Sequence, residues 1–278
     1  MRKIKIVTDS SSDILNMTDV AFAYAPMKII TLEREFVDDC SLDVDEMSDF
    51  LDSYKGKSQS SCPNTNDWLD AFGDADDVIC ITITSALSGS YNSACLAKQI
   101  YESDLSGKRV FVIDSLSAGP EISLIVDKAA ECIKSGMEFD DICKCLTEYS
   151  KNTSLIFMLK SLKTFANNGR VSPLVARLVG IAGICIVGKA SDGGTLEPRH
   201  KCRGERRSLD ALIGELDSHG YRSGKISIGH CRNIGAAIEF KNMILQKFPH
   251  ARVEIHALRG LCSFYAENGG LLIGFERR

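Results

Sequence analysis

The sequence predicts an α/β fold made of two α/β domains. Short apolar strand patterns alternate with helical patterns along the chain, and several early strands end in serine-rich turns that lead straight into helices. With 278 residues, of which 44% are apolar, the chain is long enough to bury two cores. We therefore expect an N-terminal domain over residues 1–152 with a largely parallel sheet, and a C-terminal α/β domain over residues 153–278.

The N-terminal half begins with an apolar strand that leads into an N-cap cluster from Asp9 to Asp13. Two later strand–turn–helix junctions repeat this device, and both lie before residue 135. Trp68 and Phe72 are four residues apart, which places them on one face of a short helix. The predicted elements are, in order, strands 3–8 and 22–30, helices 42–54 and 67–73, strand 78–83, helix 91–100, strand 109–113 and a helix that ends at 135.

The C-terminal half begins near Asn152 and has no linker rich in Pro, Ser or Gly, so we expect the halves to pack tightly. A predicted helix over 161–168 stops at Gly169, and Pro173 starts the next helix. An amphipathic helix over 236–248 separates the middle two strand patterns. The predicted strands are 183–187, 225–228, 252–257 and 271–275.

The turn from Thr84 to Ser90 joins the clearest strand to a helix. Its hydroxyls and the free backbone N–H groups of the helix N-terminus converge where the helix dipole is positive, which favours an anion. No G-x-S-x-G motif occurs, and segment 183–189 resembles a phosphate-binding loop but lacks its final hydroxyl residue. The sequence therefore favours a pocket for a carboxylate-bearing ligand over a hydrolase or nucleotide site.

Composition excludes several classes of protein. The net charge of −4 and the pI near 5.8 argue against nucleic acid or an anionic membrane surface as a partner. The longest apolar stretch, 174–187, is too short to span a bilayer, and no signal peptide pattern is present, so we expect a cytoplasmic protein. The 11 cysteines include no C-x-x-C pair, which favours reduced, structural thiols over a metal site or disulfides.

Five segments form an ordered set of motifs. They are I-V-T-D-S-S-S-D at 6–13, S-S-C-P-N at 60–64, L-S-G-S-Y-N-S-A at 87–94, V-I-D-S at 112–115 and L-K-T-F-A-N-N-G-R-V-S at 162–172. In the same order and at similar spacing, they resemble the motifs of the DegV family of bacterial fatty-acid-binding proteins. The resemblance covers nearly the whole chain. It implies an apolar tunnel, between or beside the two domains, that holds the acyl chain of a long-chain fatty acid.

The resemblance also implies how the head group is bound. Two hydroxyls hold the carboxylate in the family, and the matching residues here are Ser60 and Ser88. Tyr265 stands where the family commonly has a histidine, and His230 matches a strand-end histidine of the family. The candidate ligand-binding residues are therefore Ser60, Ser61, Ser88, Gly89, His230 and Tyr265.

A fatty-acid kinase is the implied protein partner. The resemblance implies a non-catalytic carrier that presents its bound lipid for phosphorylation and needs no metal or cofactor. Arg170 matches the family arginine linked to the kinase step. The basic residues that could form a docking surface are Arg199, Lys201, Arg203, Arg206 and Arg207. Two alternatives remain open, a small-molecule phosphotransfer enzyme that uses the Asp-Ser strand ends and a regulatory protein that senses a lipid.

Overall fold

The computed structural model describes residues 2–104, 107–171 and 183–277, and it confirms the predicted α/β class. The strands are β1 (Ile4–Asp9), β2 (Ala21–Ala25), β3 (Lys28–Ile30), β4 (Glu35–Val37), β5 (Gln59–Ser61), β6 (Asp77–Thr82), β7 (Arg109–Asp114), β8 (Thr153–Leu159), β9 (Ile184–Ala190), β10 (Leu196–Arg203), β11 (Gly224–His230), β12 (Ala251–Ala257) and β13 (Leu271–Glu276).

The helices connect these strands and cover the sheets. They are α1 (Val44–Ser53), α2 (Thr65–Phe72), α3 (Ser90–Asp104), α4 (Pro120–Lys134), α5 (Phe139–Ser150), α6 (Lys163–Asn167), α7 (Glu205–Ser218), α8 (Ile234–Lys247) and α9 (Gly260–Ala266). A 3-10 turn over Ser10–Ser12 follows β1. In the residues that the structure describes, no helix is both long enough and apolar enough to cross a membrane.

Three sheets organise the described chain. The first has the order β2-β1-β6-β7 and all of its pairs are parallel, as predicted for the N-terminal half. Every residue of β6 is buried, as expected for a parallel strand covered on both faces. A small antiparallel sheet has the order β4-β3-β5, and a mixed sheet of six strands has the order β10-β9-β8-β13-β11-β12. The first two sheets use residues before 115, and the third uses residues after 152. A domain boundary between residues 152 and 153 stays a prediction.

Helix α4 joins the two halves because it packs against strands of both large sheets. It contacts β1 and β6 of the parallel sheet and β8, β11 and β13 of the mixed sheet. At Gly274 in β13 an added Cβ would lie 2.5 Å from backbone atoms of Pro120 and Glu121, so only glycine permits this close approach. The start of α4 is therefore held directly on the mixed sheet.

Some predicted elements were wrong. The single strand 22–30 is two strands in different sheets, because Pro26 lacks the N–H that an uninterrupted ladder requires. Seven elements were not predicted, namely α5, α7, α9, β4, β5, β8 and β10, whereas β3 lies within the predicted strand 22–30. The helix predicted to start at Pro173 lies outside the described residues.

Candidate ligand-binding site

A cavity of about 300 Å³ lies where the two halves meet. Its walls are mostly apolar. Alternate residues of β8 supply one wall, because successive side chains of a strand point to opposite faces. The main apolar wall residues are Leu155, Phe157, Leu159, Leu196, Leu261 and Leu272. Such a cavity suits a hydrocarbon chain, which is bound chiefly through removal of apolar surface from water.

Hydroxyl groups cluster at one part of the cavity wall. Ser60 comes from β5 and Tyr265 from α9, and their hydroxyl oxygens are 2.8 Å apart. Burial raises the pKa of Tyr265, while the bond to Ser60 and the charge of Arg170 lower it in part. Tyr265 is thus a neutral phenol at neutral pH and can donate a hydrogen bond. Its ring also packs on Phe165, with 4.7 Å between the ring centroids.

The turn that carries Ser88 meets the turn that carries Ser60. Ser61, Cys62, Ser88 and Gly89 all line the same cavity. An added Cβ at Gly89 would lie only 3.2 Å from the Cys62 sulfur, so the two turns are in close contact. The Ser88 hydroxyl accepts a hydrogen bond from the Ser90 N–H at 3.2 Å, which fixes it at the N-terminus of α3. Two distant motifs of the sequence are therefore brought to one wall.

Arg170 adds a positive charge to this wall. Its Nε donates to the carbonyl oxygen of Leu87 at 3.0 Å, and its Nη1 donates to that of Asn168 at 2.6 Å. Two such bonds fix the plane of a guanidinium, whose five N–H donors suit carboxylate and phosphate groups. Arg170 lines the cavity, as do Leu87 and Phe165. A cation and several hydroxyls therefore face the same space.

The carboxylates at the ends of β1 and β7, Asp9 and Asp114, do not occur among the described lining residues of this cavity. Asp9 is fully buried and accepts hydrogen bonds from the Ile83 N–H at 3.0 Å, from the Ser90 hydroxyl at 2.6 Å and from the Ser11 hydroxyl. Burial raises the pKa of Asp9, and these hydrogen bonds act against that rise. These bonds hold Asp9 within the protein at the first residue of α3, and Asp9 does not occur among the described lining residues of the cavity.

A second buried carboxylate positions Tyr265. Asp38 accepts hydrogen bonds from the backbone N–H groups of Gly260 and Leu261, each at 2.9 Å, at the start of α9. The Ser10 hydroxyl donates to the same carboxyl group at 3.0 Å. Burial raises the pKa of Asp38, and these hydrogen bonds act against that rise. Asp38 therefore attaches the helix that carries Tyr265 to the N-terminal half, beside the sheet that carries Ser60.

His230 is placed elsewhere. His230 pairs with Leu271 across β11 and β13, so the two side chains lie on the same face of the mixed sheet. The next residue, Leu272, points to the opposite face and lines the cavity. Its Nδ1 accepts from the Asn233 N–H at 3.4 Å, and burial lowers the pKa of the ring. His230 does not occur among the described lining residues of the cavity, so its predicted contact with the ligand finds no support there.

The predicted basic cluster lies on β10 and α7, and several of its members form ion pairs. Arg199 pairs with Glu197 at 3.0 Å, and Arg206 pairs with Glu239 at 2.6 Å. Both arginines are exposed, so each pair adds little to stability. The role of the cluster as a docking surface stays a prediction.

The apolar walls were not recognised from the sequence. Segment 153–159 is a nearly continuous apolar run, and such a run does not reveal which side chains face a cavity. The structural roles of Asp9 and Asp38 were missed as well, because capping of a distant helix leaves no local pattern. The hydroxyl residues were found through their motifs.

An α/β protein with two large sheets and an apolar cavity that is polar at one wall belongs to the class of proteins that bind an amphipathic molecule. The chain belongs to the DegV family, because the family model described as "Uncharacterised protein, DegV family" matches residues 3–278. This confirms the resemblance read from the five motifs. A DegV domain-containing protein of Streptococcus pneumoniae is 41% identical over 276 residues, which cover 98% of each chain.

Two solved structures share the fold over almost their full length. The crystal structure of the Streptococcus pneumoniae Fatty Acid Kinase B3 protein loaded with linoleic acid is 40% identical, with a TM-score of 0.96 over 99% of this chain and 100% of that one. A DegV family protein from Eubacterium eligens loaded with heptadecanoic acid is 39% identical, with the same TM-score and coverage.

Proposed function

We propose that this protein binds a long-chain fatty acid and presents it to a fatty-acid kinase, as a carrier without catalytic activity of its own. The acyl chain occupies the apolar cavity, and the carboxylate lies at the wall formed by Ser60, Ser61, Ser88, Gly89 and Tyr265. The observation that carries this proposal is the single cavity that joins an apolar wall to these hydroxyls. Two similar proteins with bound fatty acids support it.

The cavity and the hydroxyls contribute differently to binding. Burial of each methylene group is worth about 0.8 kcal/mol, so a long acyl chain gains on the order of 10 kcal/mol before the costs of association. A hydrogen bond to a charged group adds about 1.5–3 kcal/mol. The tail therefore supplies most of the affinity, and the hydroxyls determine which end of the lipid lies at the polar wall.

The hydrogen bond between Ser60 and Tyr265 prepares the site for a carboxylate. One of these hydroxyls donates to the other, and the second is oriented to donate to the ligand. Arg170 lies on the same wall, and its charge favours an anion there. When the carboxylate becomes an acyl phosphate, the same guanidinium stabilises the added negative charge.

The phosphotransfer alternative loses the first of the two Asp-Ser strand ends that suggested it. Asp9, Ser10 and Ser11 are fully buried and hydrogen-bonded within the protein, so they are not exposed to a phosphorylated substrate. A kinase partner, by contrast, fits the similarity to the Fatty Acid Kinase B3 protein. A lipid-sensing role would use the same cavity and differ in its protein partner.

Extraction of the purified protein tests the proposal directly. We expect native mass spectrometry to show a bound mass equal to that of a long-chain fatty acid, and organic extraction to release it. Incubation with a bacterial fatty-acid kinase and ATP should then convert the bound lipid to acyl phosphate, detected as hydroxamate. A protein that neither carries nor takes up any fatty acid would refute the binding proposal, and binding without phosphorylation by the kinase would refute the carrier role.

A further inference from the structure

Two cysteine thiols from different helices are in contact, and neither residue occurs among the described lining residues of the ligand cavity. The Sγ atoms of Cys132 in α4 and Cys145 in α5 are 3.5 Å apart. Both residues lie on the packed faces of their helices, where Cys132 is three residues after Ala129 and Cys145 three residues after Ile142. The pair is therefore part of the contact that holds α5 on α4.

One member of the pair is accessible from the surface. Cys145 is half-buried and lines a surface cavity together with Lys128 and Tyr149. Cys132 lies behind it and is only 3% exposed. A small reagent that enters the cavity meets Cys145 first, and the Cys132 thiol is the nearest group that can complete a second step.

The separation suits a disulfide. An S–S bond is about 2.05 Å long, so the sulfur atoms need to approach by about 1.5 Å. Rotation about χ1 moves a cysteine sulfur without any change in the backbone, and the cavity beside Cys145 leaves room for this rotation. No strand pairing or buried ion pair has to break for the sulfurs to meet.

We propose that Cys132 and Cys145 are a dithiol site that forms a reversible disulfide by exchange with a small disulfide such as glutathione disulfide. The Cys145 thiolate attacks one sulfur of the reagent, so that a mixed disulfide forms and one glutathione thiolate leaves. The Cys132 thiolate then attacks the Cys145 sulfur, the mixed disulfide breaks and a second glutathione leaves. The protein loses two protons and two electrons, and the reagent is reduced to two thiols.

The second step depends on the protonation state of the Cys132 thiol. Burial, together with the neighbouring thiol, raises the pKa of Cys132 to about 11. The attacking group in an exchange reaction is the thiolate, so closure of the disulfide should accelerate as the pH rises toward that value. This site goes beyond lipid binding and does not depend on the proposed function.

Another pair of cysteines provides an internal control. Cys185 and Cys202 stand opposite each other on β9 and β10, yet they are only 5% and 9% exposed and belong to the apolar core of the mixed sheet. Because a reagent in solution does not reach these two neighbouring thiols, we expect both to stay reduced. Cys143, two residues before Cys145, is half-buried and belongs to a different tryptic peptide.

The test uses the full chain with glutathione disulfide at pH 8, followed by alkylation and digestion with trypsin. Cleavage after lysine places Cys132 in peptide 129–134, Cys143 in 135–144 and Cys145 in 145–151, so each linkage has its own mass. We expect a link between 129–134 and 145–151 that dithiothreitol reverses, and no link that includes Cys185 or Cys202. We also expect the oxidised protein to melt at a higher temperature, by several degrees.

Variants make the result specific. Cys145→Ser should abolish the link and leave Cys132 alkylatable only after unfolding, whereas Cys143→Ser should form the link as the wild type does. If Cys145 keeps a glutathione group and Cys132 stays a free thiol, the proposal is overturned. It is equally overturned if neither cysteine reacts while the exposed Cys40 does. A link that forms only in unfolded protein would overturn it as well.

Discussion

Replacement of Tyr265 by Phe removes one hydroxyl from the polar wall and leaves the ring packed on Phe165. The hydroxyl is 2.8 Å from Ser60, and its side chain is largely buried, so water replaces it poorly. A hydrogen bond to a charged group is worth about 1.5–3 kcal/mol, and Ser60 can still donate in the variant. We therefore expect a loss near the lower limit, about 1.5 kcal/mol, which is roughly a tenfold increase in Kd.

The assay is a competition titration with a fluorescent fatty acid on protein stripped of lipid. Ser60→Ala should weaken binding by a similar factor, and the double variant should lose less than the sum of the two, because the hydroxyls are in direct contact. Ser53→Ala is the matched control, since Ser53 is exposed at the end of α1 and outside the described lining of the cavity. Unchanged affinity in Tyr265→Phe, or strictly additive losses, would refute a shared carboxylate site at these hydroxyls.

Three further predictions address charge, shape and pH. Arg170→Gln should reduce phosphorylation by a fatty-acid kinase at least tenfold and lower fatty-acid affinity much less, and a larger effect on affinity than on turnover would contradict the assigned role. Gly194→Ala should destabilise the protein by about 1–3 kcal/mol in urea unfolding, because φ is +75° and the new Cβ would lie 2.1 Å from Thr84 Oγ1. Gly193→Ala, with no atom closer than 3.9 Å, should change stability by less than about 1 kcal/mol. Burial raises the pKa of Asp13 to about 8 from 3.8. Between these pH values the folded state binds a proton that the unfolded state lacks, so the free energy of unfolding should fall as the pH rises through this window. Asp13→Asn should weaken that decline in urea unfolding, and an unchanged pH profile in the variant would contradict the role of Asp13.

The fold class was predictable because it depends on repeated local patterns. Strands β1 and β7 each carry an apolar run followed by Asp and Ser, and the apolar run of β6 leads into Thr84 and Ser85; such runs indicate strands of a parallel sheet wherever helices separate them. Helix α5 was missed even though its buried residues, Phe139, Ile142 and Leu146, are spaced as on one helical face. Charged residues lie at positions between these three, so α5 has no continuous apolar run like those of the strands.

The site was predictable only in part. Ser60 and Ser88 were found because their turns match family motifs, and the same reasoning included His230, which faces away from the cavity. Which face of a strand a residue takes depends on the register of its sheet, and a single sequence does not determine that register. The contact between Ser60 and Tyr265 spans 205 positions, and no local pattern predicts a contact at that separation.

The attachment of α9 to Asp38 has a consequence for the order of events during folding. Tyr265 and Ser60 are 205 positions apart, so their hydroxyl pair forms only when α9 docks on the N-terminal half. The polar wall is therefore assembled from both halves of the chain, and it is complete only after they have packed together.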